Sequence, residues 1–274
     1  MFEVTENEVL APSLHRLTVR APRVATARRP GQFVIVRSAP GEERIPLTIG
    51  DADPQAGTIT LFVQSIGHGT QRIVEVAPGE GLRDVAGPLG EPTHIENWGR
   101  VACVGGGVGT AVLYPLAKAL AEAGNRVTTV IGGRSAPYII LADELGAFSD
   151  AVRITTEDAS LGREGFVTLE LEEMIADPER RPEAVFAIGP VPMMRAVAEL
   201  TRPHGIPTVV SLNPIMIDGT GMCGGCRVLV EDEARFACVD GPEFDGHKVD
   251  FQSLADRLTM YREHEADCRI GLQK

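Results

Sequence analysis

Positive charge is in short supply in this 274-residue chain: 26 Lys and Arg stand against 38 Asp and Glu, a formal net charge of −12. A surface of that sign repels phosphate backbones and anionic lipid, which argues against nucleic acid and membrane as partners. Long apolar runs are missing as well. The most apolar stretch, Val101–Ala123, is broken by Gly105–Gly109 and carries Lys118, so it does not read as a membrane span. Met1–Glu8 has neither the basic nor the apolar segment of an export leader. Cysteine is sparse and odd in number, five in all. Without a leader, that count fits a reducing cytoplasm, where cysteines bind metals more often than they pair. Internal repeats and low-complexity segments are also lacking.

What the chain has in excess is turn chemistry. Its 30 Gly and 19 Pro make up about 18% of the residues, against about 12% in an ordinary domain. Together with 43% apolar residues, that suits two cored domains plus a small appendage, joined by tight loops.

The densest chemistry lies between Ile217 and Pro242, where three cysteines sit among glycines. Cys223 and Cys226 are separated by two residues, close enough for both thiolates to hold one metal centre. Gly219, Gly221, Gly224 and Gly225 let the backbone turn sharply around them. Arg227–Val230 alternates as a strand, Glu231–Ala234 is polar turn material, and Arg235–Cys238 alternates again. Such a hairpin returns Cys238 to the glycine loop. Plant-type 2Fe–2S sites run C-x4-C-x2-C with a distant fourth cysteine. Counting back from Cys223 puts Asp218 where that pattern has its first thiolate. The spacing predicts a 2Fe–2S cluster held by Asp218, Cys223, Cys226 and Cys238. Structural zinc is the competing reading of C-x2-C plus a third cysteine, and Cys268 is an alternative fourth ligand.

Residues 1–98 read as a small antiparallel barrel: Leu17 and Val19, Phe33 and Ile35, then Ile59, Leu61 and Val63 alternate between Pro-Gly punctuation. Two loops carry chemistry. Arg44-Ile-Pro46-Leu47-Thr48 joins a guanidinium to a strand that ends in a hydroxyl. Gly67-His68-Gly69-Thr70 opens a short helix, and backbone N–H groups there, with an arginine fork, suit a pyrophosphate. His68 alone reads as a loop residue.

From Trp98 the pattern changes to α/β. Val101–Val104 is a buried strand that runs into Gly105-Gly106-Gly107-Val108-Gly109 and then a helix, the arrangement that sets a dinucleotide pyrophosphate on a helix N-terminus. The fingerprint is not strict, because Thr110 falls at its third glycine and Pro115 lies inside the helix. No acidic residue closes the next strand, Arg126–Ile131, so the choice of nucleotide stays open. Arg134 favours NADP, while Glu157 and Asp158, after the strand Ala151–Thr155, favour NAD. Gly189, Pro190 and Met193 follow the strand Ala184–Ile188 and face the ligand crevice of such sheets. Thr208–Leu212 is expected to be the last strand, Cys103 a buried hydrophobe, and the tail from Asp250 through Tyr261 an amphipathic helix.

Taken together, this is an α/β plus β chain: a barrel at 1–98, a parallel-sheet nucleotide domain at 99–212 and an iron–sulfur subdomain at 213–274. That order of modules resembles the ferredoxin reductase superfamily. Arg44–Thr48 is similar to its flavin-binding strand, Gly105–Gly109 to its pyridine-nucleotide loop, and Gly189–Met193 to its nicotinamide-side loop. The segment Asp218…Cys223…Cys226…Cys238-Val-Asp-Gly-Pro242 resembles the small subunits of NADH-dependent reduced ferredoxin:NADP oxidoreductases. The related electron-transfer subunits of dihydroorotate dehydrogenase have cysteine where Asp218 stands. The resemblance implies FAD, NAD(H) or NADP(H), a 2Fe–2S cluster, a larger flavoprotein partner with iron–sulfur centres in a heterodimer, and ferredoxin reached indirectly. It implies a hydride moving between nicotinamide and flavin and single electrons moving on to the cluster. No protein side chain is expected to act as nucleophile or general base. A stand-alone NAD(P)H-linked reductase of ferredoxin or sulfide, and a zinc-bearing interaction module, are the other readings.

Overall fold

In the computed structural model, which describes residues 1–260, the alternating stretches of the first ninety positions become strands. They are β1 (Phe2–Ala11), β2 (Leu14–Arg20), β3 (Phe33–Arg37), β4 (Ile45–Asp53), β5 (Thr58–Gln64), β6 (Gly81–Leu82) and β7 (Asp84–Leu89), with helices α1 (Pro22–Ala27) and α2 (His68–Val74) between them. The sheet order is β6-β1-β2-β5-β4-β3-β7. The two end strands, β6 and β7, flank the single residue Arg83, whose N–H reaches the Arg37 carbonyl at 2.9 Å. The sheet therefore curls until its ends nearly meet, giving an antiparallel barrel with little exposed edge.

The barrel core contains Val4, Leu17, Val19, Val34, Val36, Leu47, Ile49, Ile59, Leu61, Val63, Ile73 and Leu82. The expected phase holds for β2 and β5 and fails for β3. Val34 and Val36, not Phe33 and Ile35, point into this core. Phe33 and Ile35 are buried all the same, on the outer face of the strand. That face is covered by the cysteine-bearing segment. A Cβ on Gly219 would come within 2.9 Å of Ile35 and 2.7 Å of Leu89, and Gly90, beside Phe33, lies against the Gly241 carbonyl. Strand β3 is thus apolar on both sides, and period-two reading cannot tell its faces apart.

Two compact units emerge. The first joins Met1–Pro92 to Asn213–Pro242 and to the described residues from Gln252 onward. The second is Thr93–Leu212 with Glu243–Phe251.

The second unit is a doubly wound sheet. Its strands are β8 (Arg100–Gly106), β9 (Arg126–Gly133), β10 (Ala151–Thr156), β11 (Arg163–Glu164), β12 (Ala184–Ile188), β13 (Thr208–Ser211) and, from beyond the cysteine-bearing segment, β16 (Glu243–Asp245). The order β11-β10-β9-β8-β12-β13-β16 is parallel except for β16. Thr208–Ser211 is therefore not the last strand of this sheet. The three-residue β16 was too short to leave a periodic signal. Helix α3 (Gly109–Glu122) packs near α4 (Ala142–Gly146), while α5 (Val167–Ala176) packs against α6 (Val191–Thr201). Leu113, Leu116 and Leu120 recur every three to four residues along α3 and are fully buried, which drives that helix onto β8 and β9. Cys103 is fully buried in β8, and burial pushes its thiol pKa upward.

The remaining elements belong to the cysteine-bearing segment and the tail. The hairpin is β14 (Arg227–Val230) and β15 (Glu233–Phe236), turned by Glu231 and Asp232 alone, both at positive φ. The turn is two residues long, shorter than expected, because two successive left-handed residues match the twist of the flanking strands. Helix α7 (Phe251–Leu258) buries Phe251 and Leu254. The rest of the expected tail helix, with Tyr261, and Cys268 lie outside the described residues.

Candidate functional site

The hairpin returns Cys238 to Cys226, but the three thiolates do not converge on one point. The Cys226 and Cys238 sulfurs lie 3.2 Å apart and both residues are buried. The Cys238 N–H also points at the Cys226 sulfur, at 3.4 Å, and Ala237 N–H donates to the Cys226 carbonyl at 3.1 Å. Burial, reinforced by the neighbouring Cys226, pushes the Cys238 thiol up to about 12. Cys223 is exposed at the loop tip, where the Gly225 N–H approaches its sulfur at 3.5 Å. Arg257, at the end of α7, donates to the Gly225 carbonyl at 3.0 Å and so pins the loop from below.

Asp218 stands at the mouth of the same loop. Its two oxygens accept from the Thr220 and Cys223 N–H groups at 2.8 and 2.7 Å. Those bonds, with the Arg44 charge nearby, hold its carboxyl below the usual range. Each carboxylate oxygen retains a lone pair beyond its hydrogen bond. Among the described residues, no three His, Cys, Asp or Glu side chains are gathered closely enough to hold a single metal ion. Two of the three sulfurs are together, and the third, on Cys223, stands exposed beside Gly224 and Gly225. Gly219 and Gly221 are both at positive φ, and a Cβ on either would overlap a neighbour: Leu89 for the first and Val239 for the second.

The two barrel loops singled out in the sequence are neighbours. Arg44 precedes β4 and donates from Nε to the Ile217 carbonyl at 3.1 Å, which ties it to the cysteine-bearing segment. Pro46, Leu47 and Thr48 pair with Ile35, Val34 and Phe33. Gly67–Thr70 does open a helix, α2. The Thr70 hydroxyl accepts from the Ile66 and Gly67 N–H groups at 3.1 Å. His68 meets Glu42 at 3.4 Å, and Glu43 lies where a Cβ on Gly69 would go. Nothing stands within 4 Å of a Cβ on Gly67, so the loop's outer side is open to a ligand.

In the second unit the glycine turn and the loop after β12 close on each other. Gly109 begins α3 so near β12 that a Cβ would sit 2.4 Å from the Ile188 carbonyl and 2.7 Å from Gly189 Cα. Gly109 therefore supplies the close helix–strand packing that the strict fingerprint gives to its third glycine. Met193 lies over both Gly106 and Gly189, and Pro190 caps α6 beside it. Gly107 is at φ +55° with open space around its Cβ direction, where a ligand can approach the backbone. Met194 is fully buried and faces the core. The β9 and β10 loops also meet: Thr156 pairs with Gly133, and Glu157 N–H donates to the Gly133 carbonyl at 3.2 Å. Arg134, Glu157 and Asp158 are exposed there. Ser160 holds Asp158 Oδ1 through both its N–H and its hydroxyl, which keeps that carboxyl's pKa low.

One group escaped sequence reading. Glu243 on β16 accepts from the Thr93 hydroxyl at 2.8 Å, and burial raises its pKa to about 7. Its only signal was position, one residue after Gly-Pro242.

A flavin-suited barrel, a doubly wound sheet with a glycine-opened crevice at its switch point, and a cysteine-bearing hairpin define an electron-transfer oxidoreductase of the ferredoxin-reductase fold. Residues 213–250 match the iron–sulfur cluster binding domain of dihydroorotate dehydrogenase B. Over 263 residues the chain is 46% identical to a dihydroorotate dehydrogenase B (NAD(+)) electron transfer subunit homolog of Thermotoga maritima, covering 96% of this chain and 92% of that one. Over 255 residues it is 33% identical to the dihydroorotate dehydrogenase B (NAD(+)) electron transfer subunit of Bacillus caldolyticus, covering 90% and 96%. Among solved structures, an NADH-dependent reduced ferredoxin–NADP oxidoreductase studied for flavin-based electron bifurcation superposes with a TM-score of 0.94 at 43% identity, covering 100% of this chain and 98% of that one. The chain belongs to the family of dihydroorotate dehydrogenase B electron-transfer subunits and their homologues. It is an oxidoreductase subunit. Among the described residues no helix is long and apolar enough to cross a membrane.

Proposed function

We propose that this chain is the small subunit of an NADH-dependent ferredoxin:NADP oxidoreductase-like assembly. It moves a hydride between NAD(H) and FAD and single electrons between FAD and a 2Fe–2S cluster. It serves a larger flavoprotein partner with iron–sulfur centres, and ferredoxin only through that partner. The observation that carries the reading is likeness over the whole chain, at 43% identity, to such an oxidoreductase. The work divides as residues 1–98 for flavin, 99–212 for nucleotide and 213–274 for the cluster, in the cytoplasm.

The residues fit these groups chemically. Cys226 and Cys238 present adjacent soft donors, Cys223 a third, and Asp218 a hard oxygen. Arg44 and Gly67, His68, Gly69 and Thr70 hold the flavin pyrophosphate, with Pro46, Leu47 and Thr48 along the ring edge. Gly105, Gly106, Gly107, Val108 and Gly109 cradle the nucleotide pyrophosphate, while Gly189, Pro190 and Met193 guide the nicotinamide. Arg134, Glu157 and Asp158 choose between NAD(H) and NADP(H) at the ribose. When bound, the flavin converts a two-electron hydride into single electrons that a one-electron centre can accept. The chain's own part is to position groups and exclude water, and no side chain acts as acid, base or nucleophile.

Anaerobic purification from the native source tests this reading. The expected preparation is coloured, holds FAD with two iron and two sulfide per chain, is bleached by NADH and carries a second, larger chain. Zinc without flavin points to an interaction module, and fast dye reduction by the single chain points to a stand-alone reductase. The family itself favours a second reading, an electron-transfer subunit for dihydroorotate oxidation. Identifying the co-purified chain separates the two.

A further inference from the structure

In a strict dinucleotide fold the acid that reads a ribose stands at the end of the strand after the glycine turn. Here that strand, β9, ends at Gly132-Gly133 and is followed by Arg134, so it supplies no carboxylate. The neighbouring strand brings two. Thr156, the last residue of β10, pairs with Gly133, and Glu157 N–H donates to the Gly133 carbonyl at 3.2 Å. Glu157 and Asp158 therefore leave the sheet beside the end of β9, where the missing acid belongs.

A second tie fixes one of the two side chains. Ala136 N–H, two residues beyond Arg134, donates to the Ser160 hydroxyl oxygen at 2.7 Å, and that hydroxyl donates in turn to Asp158 Oδ1. Ser160 N–H donates to the same carboxylate oxygen at 3.0 Å. The β9 loop, Ser160 and Asp158 thus form one relay between two strands. Thr156 closes the base of the turn, its hydroxyl donating to the Leu161 carbonyl at 2.8 Å and accepting from the Leu161 N–H at 3.1 Å. Ala159 completes it at φ +59°, in the left-handed region that side chains disfavour. Asp158 is exposed, and the Ser160 bonds hold its carboxyl below the usual pKa. Among the described residues nothing comparable holds the Glu157 side chain.

Resting on the nucleotide reading above, we infer that Ser160 is a positioning residue for selectivity. It holds Asp158 beside β9 so that the carboxylate accepts from the ribose hydroxyls of NAD(H) and turns away the 2′-phosphate of NADP(H). Both Ser160 donors are spent on Asp158, so Ser160 offers none to a phosphate. A carboxylate has about four acceptor positions, so Asp158 keeps capacity for hydroxyl donors beyond its two bonds to Ser160. Its charge opposes a second anion, which is how a site rejects the wrong ligand. Arg134 is the one cation of the trio against two carboxylates, Glu157 and Asp158, and it is outweighed. A side chain locked before binding also loses less freedom when the ligand arrives.

Stopped-flow reduction of the flavin in the anaerobic holoprotein, with NADH and NADPH titrated separately, tests the assignment. Wild type should prefer NADH. In Ser160→Ala the half-saturating NADH concentration should rise about fivefold or more, the loss of one charge-assisted hydrogen bond. The limiting rate at saturation and the NADPH titration should each move less than about twofold, the pattern of a lost binding contact rather than a lost chemical step. Ser160→Thr keeps the hydroxyl and should restore the wild-type values. In an Asp158→Ala background the Ser160→Ala change should add nothing, because Ser160 acts through that carboxylate. Weakening that is equal for the two nucleotides, a penalty that persists in full without Asp158, or a wild type that prefers NADPH overturns the inference and leaves the functional reading standing. A flavin that neither nucleotide bleaches overturns both.

Discussion

The Cys226 and Cys238 sulfurs lie 3.2 Å apart across twelve positions of sequence, brought together by a hairpin whose turn is two left-handed residues. Their accessibilities of 1% and 2% contrast with an exposed Cys223 three positions before Cys226. In protein stripped of metal, alkylation at pH 8 should therefore be ordered. The thiolate is the reactive species, and Cys238 holds its proton to about 12. Cys223 should be modified first, with Cys226, Cys238 and the buried Cys103 protected until the chain unfolds. Peptide mass mapping of iodoacetamide-treated protein over time reads the order; simultaneous labelling of all four would contradict the geometry.

Asp218 is either a ligand or a loop cap, and one substitution parts the two. As a cap, its oxygens serve only the Thr220 and Cys223 N–H groups. As a ligand, it gives the cluster a harder, less electron-donating partner than a thiolate. Replacing thiolates by weaker donors raises cluster potentials. Asp218→Cys should then keep two iron per chain, lower the midpoint potential and change the EPR spectrum. Unaltered spectrum and potential at full iron content would assign Asp218 to the loop alone.

Much of the fold was legible because each unit announces itself locally. Strand, glycine turn and helix around Gly105–Gly109 need only near neighbours, and so does the hairpin that carries Cys238. Long-range cover was not legible. Alternation alone reads Phe33 and Ile35 as core-facing. In fact they face outward, under a segment almost two hundred residues later in the chain, where Gly219 fits against Ile35. The same distance hid Arg44. Its sequence context suggests a flavin phosphate, and its observed bond to the Ile217 carbonyl joins it to the cysteine-bearing segment as well. Strand β16 and the Thr93–Glu243 bond also depend on chain return, which no local pattern encodes.

The glycine turn gives a prediction with an internal control. Gly109→Ala drives a methyl to within 2.4 Å of the Ile188 carbonyl, a backbone atom that cannot swing aside. Overpacking of that kind costs about 1–3 kcal/mol. Gly107→Ala has open space but must hold φ +55°, at a cost of about 1–2 kcal/mol. Chemical denaturation should thus show Gly109→Ala at least as destabilised as Gly107→Ala. If the turn holds the nucleotide as proposed, NADH titration should show affinity lost in both, since the Gly107 methyl would enter the open space left for a pyrophosphate. Normal NADH affinity in Gly107→Ala would remove that turn from the nucleotide site.

Glu243 sets a pH dependence whose sign follows from its environment. Burial raises its pKa from 4.5 to about 7 while the Thr93 hydroxyl bond pulls the other way. The folded protein therefore binds this proton more tightly than the unfolded chain does. The group's stabilising contribution is full below about pH 4.5 and is lost as pH climbs through 7. At about 1.4 kcal/mol per pKa unit, the loss amounts to about 3 kcal/mol. Glu243→Gln retains an oxygen to accept from Thr93 and has no proton to lose. Its melting temperature should match the wild type near pH 4.5 and exceed it at pH 8, and the gap should open between those values. Parallel melting profiles for the two proteins across that range would mean the carboxyl ionises freely, and that the Thr93 contact does not depend on a held proton.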